Sequence, residues 1–316
     1  MKKAVLFLLL LASVALSAQQ SGSGNALPAG TLQTTVNFPL ARIQTPNASD
    51  LYCAGFIGQQ LSSKDKYVTG GLESPAAARF ANGDAIYLNG KGYEAGQQYT
   101  IVRELKDPNR YELFKGQWSA LKAAGLPYQE LARVKVIDVR GKTAIAQVEF
   151  SCDAVVPGDF AVPFVEKSAA AFHAPIRFDR FAPSSGQLSG RILLAKDFDS
   201  ELANGSKVYV NIGASQGLKV GDFLRAVRTY TAEAHDPVDS LSLKASSNEI
   251  TQTRQAAVDP DFLTKTGGPV IHIADMPRRA VAEIVIVGTT PSTATGMIVY
   301  SMEPVLVGDG VELDPQ

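Results

Sequence analysis

Two stretches of this chain end alike, in SCDAVVPGD at Asp159 and in SMEPVLVGD at Asp309. Leu126 to Asp159 lies over Met276 to Asp309 without a gap, with eight identities in 34 positions. Pro127 meets Pro277, Ala132 meets Ala282, Thr143-Ala144 meet Thr293-Ala294, and Ser151, Val155, Gly158 and Asp159 meet Ser301, Val305, Gly308 and Asp309. Many other pairs are conservative, such as Val134 with Ile284 and Phe150 with Tyr300. A second match, NGDAIYLN (Asn82 to Asn89) over NGSKVYVN (Asn204 to Asn211), precedes it in the same order at an offset of 122 residues. The chain is therefore two copies of one module, and whatever fold the first takes, the second takes too.

Within each copy the pattern has period two. Val208, Val210 and Ile212 alternate with Lys207, Tyr209 and Asn211; Ala144, Ala146, Val148 and Phe150 share a face opposite Gln147 and Glu149. Alternation of this kind predicts half-buried strands. Gly-Asp recurs at strand entrances: Gly83-Asp84, Gly158-Asp159, Gly221-Asp222 and Gly308-Asp309. Glycine supplies the positive φ of a tight turn, and the carboxylate accepts a nearby backbone N–H. The expected fold is mainly all-β: two tandem, related small β-barrel or β-sandwich modules with short helical insertions.

AGFIG (Ala54 to Gly58) is matched with SGRIL (Ser189 to Leu193) as the opening strand of each copy, which sets Cys53 against Leu188 and Cys152 against Met302. Both cysteines then fall at apolar positions of a first and a last strand lying side by side, and a Cys53–Cys152 disulfide is expected, closing a loop of about 100 residues for roughly 4 kcal/mol. The alternative is two separate buried thiols.

The remaining segments follow. Residues 1–18 read as a signal peptide: Lys2 and Lys3 lead an apolar run, and Ala15, Ser17 and Ala18 offer cleavage sites, whereas a retained anchor would need about 20 apolar residues. Residues 19–50 read as a flexible tether, 51–165 as the first module, 166–187 as a linker, and 188–314 as the second module with a long loop over 229–271. In module one, Tyr111 to Ala124 predicts an amphipathic helix with Leu113, Phe114, Trp118 and Leu121 on one face and Trp118 as a core anchor. With Lys2 and Lys3 removed, 28 basic residues stand against 31 acidic ones, so there is no footprint for nucleic acid. The expectation is an exported chain, in the periplasm, at the cell surface or outside, with no transmembrane insertion after cleavage.

Chemistry is sparse. GASQG (Gly213 to Gly217) satisfies the G-x-S-x-G elbow pattern, but an elbow needs a helix after the serine and the sequence continues in another strand pattern, GLKVGDFLRAVR. Ser215 is the named nucleophile of the alternative reading, a secreted serine-type hydrolase acting on a glycan or ester. His173, His235 and His272 show no metal-ligand spacing, and neither a phosphate-cradling nor a dinucleotide motif is present, so no metal or cofactor is expected. Tyr87 and Tyr209, with Asn89 and Asn211 two residues on, hold equivalent polar-face positions where they could stack on and hydrogen-bond a sugar or peptide; cross-strand packing is the competing reading.

NGSKVYVN, the GLKVGDF after it and the A-x-x-x-I-x-Y-S-x-x-x-x-x-VGD of Ala294 to Asp309 resemble a module of bacterial envelope proteins. It is similar to the small barrel ending the flagellar T-ring assembly protein and to repeats that follow LysM domains in exported proteins. The resemblance implies a non-catalytic envelope module serving attachment or assembly. The expected partner is an envelope protein or cell-wall glycan, and a structural subunit of a larger envelope ring or secretion apparatus is a further alternative. It carries over no functional residue.

Overall fold

The computed structural model describes residues 45–59, 61, 65–168, 178–234, 243–246 and 271–314. The elements of the first copy are α1 (Ala48–Tyr52), β1 (Phe56–Gly58), β2 (Tyr67–Gly71), β3 (Ala85–Asn89), β4 (Gln98–Glu104), α2 (Gln117–Ala124), β5 (Leu126–Arg140), β6 (Thr143–Ser151) and β7 (Phe160–Pro163). The second copy holds β8 (Ser189–Ala195), β9 (Glu201–Leu202), β10 (Lys207–Val210), β11 (Phe223–Arg228), β12 (Thr231–Ala234), β13 (Leu243–Ser246), β14 (Ile271–Asp275), β15 (Arg279–Thr289), β16 (Ala294–Ser301), β17 (Val305–Leu306) and β18 (Gly310–Leu313).

Each copy closes into an antiparallel barrel of six strands. The first runs β5-β4-β7-β2-β3-β6 and back to β5, with β1 added at β5; the second runs β10-β16-β15-β11-β18-β8. Closure leaves no unpaired edge in either ring. The registers agree strand for strand: Ile86 faces Ala146 as Val208 faces Gly296, and Tyr99 faces Val134 as Leu224 faces Ile284. The bulges recur as well, at Ile101/Val102 and Ala226/Val227, and at Arg133/Val134 and Glu283/Ile284. Inward side chains fill the cores with Val68, Ile86, Leu88, Ile101, Val134 and Val148 in one ring and Ile192, Val208, Val210, Leu224, Ile284 and Ile298 in the other.

The opening strand needs correction. The equivalent of β8 in the first copy is β2, not Ala54–Gly58: Val68 pairs with Leu88 as Ile192 pairs with Val210. Two glycines and an exposed Thr69 hide the alternation of β2 in the sequence. The Cys53–Cys152 disulfide is present, with a Cα–Cα distance of 5.6 Å, but its setting differs from the expected pair of neighbouring strands. Cys53 caps α1 and Cys152 follows β6. The tether also ends earlier than residue 50, because Asn47 and Asp50 cap α1 reciprocally, each side chain accepting the other's backbone N–H. The long loop carries structure too: β12 pairs with both β13 and β14 in a three-stranded sheet.

The predicted helix over 111–124 is shortened by Gly116, whose φ of 85° makes it the N-terminal cap, so that only α2 is helical. Leu113 and Phe114 precede it and are buried in the core cluster of the second barrel, together with Ile57 and Ala124. The Gln117 amide bridges the Leu113 N–H and the Leu193 carbonyl at 2.7 and 2.9 Å. Trp118 is 52% exposed and anchors no core; the shift of the helix start turns it outward.

The Gly-Asp endings are one structure built twice. Asp159 and Asp309 accept the N–H three residues back, from Val156 at 2.7 Å and Leu306 at 2.8 Å. Gly158 and Gly308 take φ of 99° and 102°, the left-handed conformation such a turn requires. Asp84 and Asp222 repeat the bond with Ala81 and Lys219, and Gln97 and Ser206 supply the same oxygen where no Asp stands. At the two endings a further partner enters. Arg103 on β4 donates Nε and Nη2 to the two Asp159 oxygens, both at 2.8 Å, and Nη2 to the Ala154 carbonyl. Arg228 on β11 does the same to Asp309, at 2.9 and 2.6 Å, and to the Pro304 carbonyl. Asp159 and Asp309 are 3% and 0% exposed, while Arg103 and Arg228 are 32% and 12% exposed.

Removing the cation from a buried pair strands the carboxylate, at about 3–5 kcal/mol. Arg228→Met is expected to lower stability by about that amount and Arg103→Met by clearly less, because water still reaches its site; urea unfolding curves would rank them, and equal losses would refute the burial argument.

The leader segment 47–58 joins the barrels. Tyr209 on β10 donates its hydroxyl to the Ala54 carbonyl at 3.1 Å, and Thr295 and Thr293 donate theirs to the carbonyls of Gly55 and Ile57 at 2.9 and 2.7 Å. Leu51 and Ala54 pack on Val285, Val287, Met297 and Val299. Gly55 has φ of +70°, and a Cβ there would lie 2.5 Å from the Tyr209 hydroxyl and 2.6 Å from the Tyr128 carbonyl oxygen. Gly55→Ala is therefore expected to loosen the barrels from each other while each ring stays closed; hydrogen exchange should rise at Gly55–Ile57 and Thr293–Thr295 and stay unchanged in β3 and β6.

Candidate functional site

The four candidate contact residues do not converge. Tyr87 and Asn89 are half-buried on the first barrel, and Asn89 gives its backbone carbonyl to the Tyr93 hydroxyl. Tyr209 is fully buried beneath the leader, and burial pushes its phenol pKa upward, so it stays neutral. A ligand could reach it only by displacing Gly55, which corrects the expectation of an exposed aromatic. Asn211 is exposed and accepts the Arg191 N–H at 2.6 Å, a bond that holds β8 to the end of β10.

Ser215 lies in a single 3-10 turn, Ala214–Gln216, that leads through Gly217 to β11 rather than into a helix. Its N–H donates to the Pro291 carbonyl, and among the described residues no hydrogen bond joins its hydroxyl to a histidine. His173 and His235 fall outside the described residues, and His272 stands 3.7 Å from Asp275 with both side chains exposed. Among the described residues no cluster of His, Cys, Asp and Glu is arranged to hold a metal ion.

A groove on the outside of the first barrel was not foreseen. Its volume is about 170 Å³, and its walls are the rings of Tyr52, Phe56, Phe150 and Phe164, the aliphatic Val102, Val162 and Pro163, and the polar Thr100, Glu130, Arg133 and Lys167. The bulges create it. Period two places Phe150 inward with Ala146 and Val148, but Arg133 pairs with Phe150 while Val134 pairs with Val148, so Glu149 is an extra residue and the strand turns over. The bulge at Ile101/Val102 likewise precedes Val102.

The charges on this face differ in their commitments. Lys167 is occupied: its ammonium donates to both Glu130 oxygens at 2.6 and 2.8 Å and to the Leu51 carbonyl at 2.8 Å. Glu130 also accepts the Gly55 N–H. Arg133 sits over the rings of Phe164 and Tyr52, 5.3 and 6.0 Å from their centroids. Its ion pair is long, 3.5 Å from Nε to Glu149 Oε2, and Nε is buried without a hydrogen bond among the described residues.

The repeat supplies a comparison inside the molecule. The positions of Thr100, Arg133, Phe150, Val162 and Phe164 are those of Arg225, Glu283, Tyr300, Glu312 and Asp314 in the second barrel. There the face is filled. Arg225 pairs with Glu312 and Asp314, Arg278 pairs with Glu312, and residues 178–185 lie across it. Phe178 packs on Tyr300 at 5.2 Å, the Arg180 carbonyl accepts the Ala280 N–H at 2.7 Å, and Ser184 and Ser185 donate to Glu312.

Glu283 is the odd member of this cluster. Burial, and then the nearby Asp314, push its pKa up to about 7 against a partial opposing pull from Arg225. A carboxyl whose folded pKa exceeds its unfolded value subtracts nothing below the unfolded value, near pH 4.5, and its full penalty above pH 7. Glu283→Gln should therefore stabilise the protein by roughly 1–3 kcal/mol at pH 8 and by almost nothing at pH 4, the scale set by about 1.4 kcal/mol per pKa unit; a gain independent of pH would contradict the assignment.

No protein-family model matches this chain, and no curated protein matches it.

Proposed function

We propose that this protein is an exported, non-catalytic binding or assembly module of a bacterial cell envelope, and that it works through the groove on its first barrel. The observation that carries this reading is the contrast between two equivalent faces. One is closed by residues 178–185 and a set of ion pairs; the other retains a cavity of about 170 Å³ walled by four aromatic rings. Rings of that number on a closed barrel form the kind of concave, mostly apolar face with a few polar groups that binding sites use. The signal-like residues 1–18 and the Cys53–Cys152 disulfide support export, since disulfides persist in oxidising compartments. Among the described residues no helix is long and apolar enough to cross a membrane. The resemblance to envelope barrel repeats points to attachment or assembly rather than turnover.

The test is retention by envelope material. Tagged mature protein with its disulfide intact is incubated with detergent-solubilised envelope extract and, separately, with purified peptidoglycan sacculi. The expected outcome is recovery of one envelope protein in fixed ratio, or saturable retention on sacculi. Recovery of neither, with most of the native protein found in the cytoplasmic fraction, would reject the proposal.

A further inference from the structure

Resting on that reading, we infer that the groove is a docking site for an extended segment of a partner protein, anchored by one aromatic or leucine side chain with a carboxylate beside it. Size is the first argument. A volume of about 170 Å³ falls below the roughly 300–1,000 Å³ of sites that enclose a small molecule and close to the roughly 150 Å³ of a cavity that takes one benzene. It fits a single side chain, and the backbone that bears it must run across the open mouth.

The second argument comes from the other barrel. The same face there accepts a stretch of the chain that turns at Asp179–Ala182, with one aromatic ring, Phe178, on the residue equivalent to Phe150 and a backbone bond at Ala280, the residue equivalent to Glu130. The architecture has thus already accommodated peptide at this place. The third argument is charge. Where the second barrel has Glu283, the first has Arg133, so the polar partner must change sign. Arg133 lies over the adjacent rings of Tyr52 and Phe164 and makes only a long ion pair, whereas Glu130 and Lys167 satisfy each other. A carboxylate on the incoming peptide gives that guanidinium the short, charge-assisted partner it lacks. The chain's own residues 19–44 contain no Asp or Glu and cannot supply one.

A phage-displayed random heptapeptide library selected against the disulfide-bonded mature protein tests this. Selected peptides should carry an aromatic residue or Leu within two positions of Asp or Glu. Synthetic copies, titrated by fluorescence anisotropy, should bind Thr100→Trp, which fills the groove, and Arg133→Gln, which removes the charge, each about tenfold or more weakly, the scale of losing an interface anchor. Replacing the peptide carboxylate by its amide should cost the same on the native protein and nothing further on Arg133→Gln. If Thr100→Trp fails to fold by circular dichroism, the Arg133→Gln series, which shortens a half-exposed side chain and fills no space, decides alone. Peptides without an acid, or peptides indifferent to both variants, would overturn the inference. So would sacculus binding abolished by Thr100→Trp, which would assign the groove to glycan, or a tenfold gain in peptide affinity on deleting residues 19–44, which would make the tether its occupant. Envelope retention that persists unchanged in both variants would overturn the groove assignment and leave the proposed function standing.

Discussion

A six-stranded barrel has to be shut by its last strand, and in each copy that strand is only four residues long. So short a strand is held by little hydrogen bonding of its own. The buried carboxylate ahead of it compensates by joining two pieces of chain at once. Asp159 and Asp309 fix the turn through a backbone N–H and draw in an arginine from the neighbouring strand, β4 or β11, through two parallel bonds. That arginine also holds the carbonyl of the preceding segment. A buried ion pair is weak evidence for net stability, because desolvation opposes the attraction. Its value here lies in geometry, since a paired fork and carboxylate tolerate only one register of the closing strand.

On this shared skeleton the two copies diverge at the outer face. The bulges recur at the same places in both rings, so the same positions turn outward. What they carry is not the same. One face is a lattice of arginines and carboxylates under its own linker; the other is aromatic, with the leader segment along one side. The leader serves both rings: its Glu130 contact fastens it to the first, while Tyr209, Thr293 and Thr295 fasten it to the second. Such division of labour is open to a duplicated fold, because one copy can hold the assembly together while the other keeps a surface exposed.

The barrels were legible because alternation and turn chemistry are local. Val208, Val210 and the Gly-Asp pairs declare strands and turns within a few residues. The cysteine pairing was legible as well, although for a different reason than the geometry gives: the match of AGFIG with SGRIL was mistaken, and Cys53 lies in the leader. The groove was hidden by the same regularity that revealed the strands. A bulge shifts the phase of a strand by one residue without leaving a mark in composition, so period two sets Phe150 on the core face with Ala146 and Val148 and gives no sign that Arg133 lies beside it. Tyr209 was misjudged because what covers it, Gly55, is separated from it by some 150 residues of chain. Arg103 and Arg228 escaped notice because their role depends on a partner that only closure brings near; their common position opposite Gln129 and Arg279, one repeat apart, was the available signal.

The disulfide also determines how tension would pass through the molecule. A pull on the leader reaches Cys53 and crosses directly to Cys152, then leaves along the chain toward the second barrel. Strands β2 to β6 all lie inside that covalent loop and carry no load. The shortcut removes 99 residues from the extensible length, about 330 Å of chain at roughly 3.3 Å per residue. For a chain pulled from that end, the strands inside the loop are shielded, and the load falls instead on β7, the short closing strand that follows Cys152, so the Arg103–Asp159 pair at its entrance is the bond that resists.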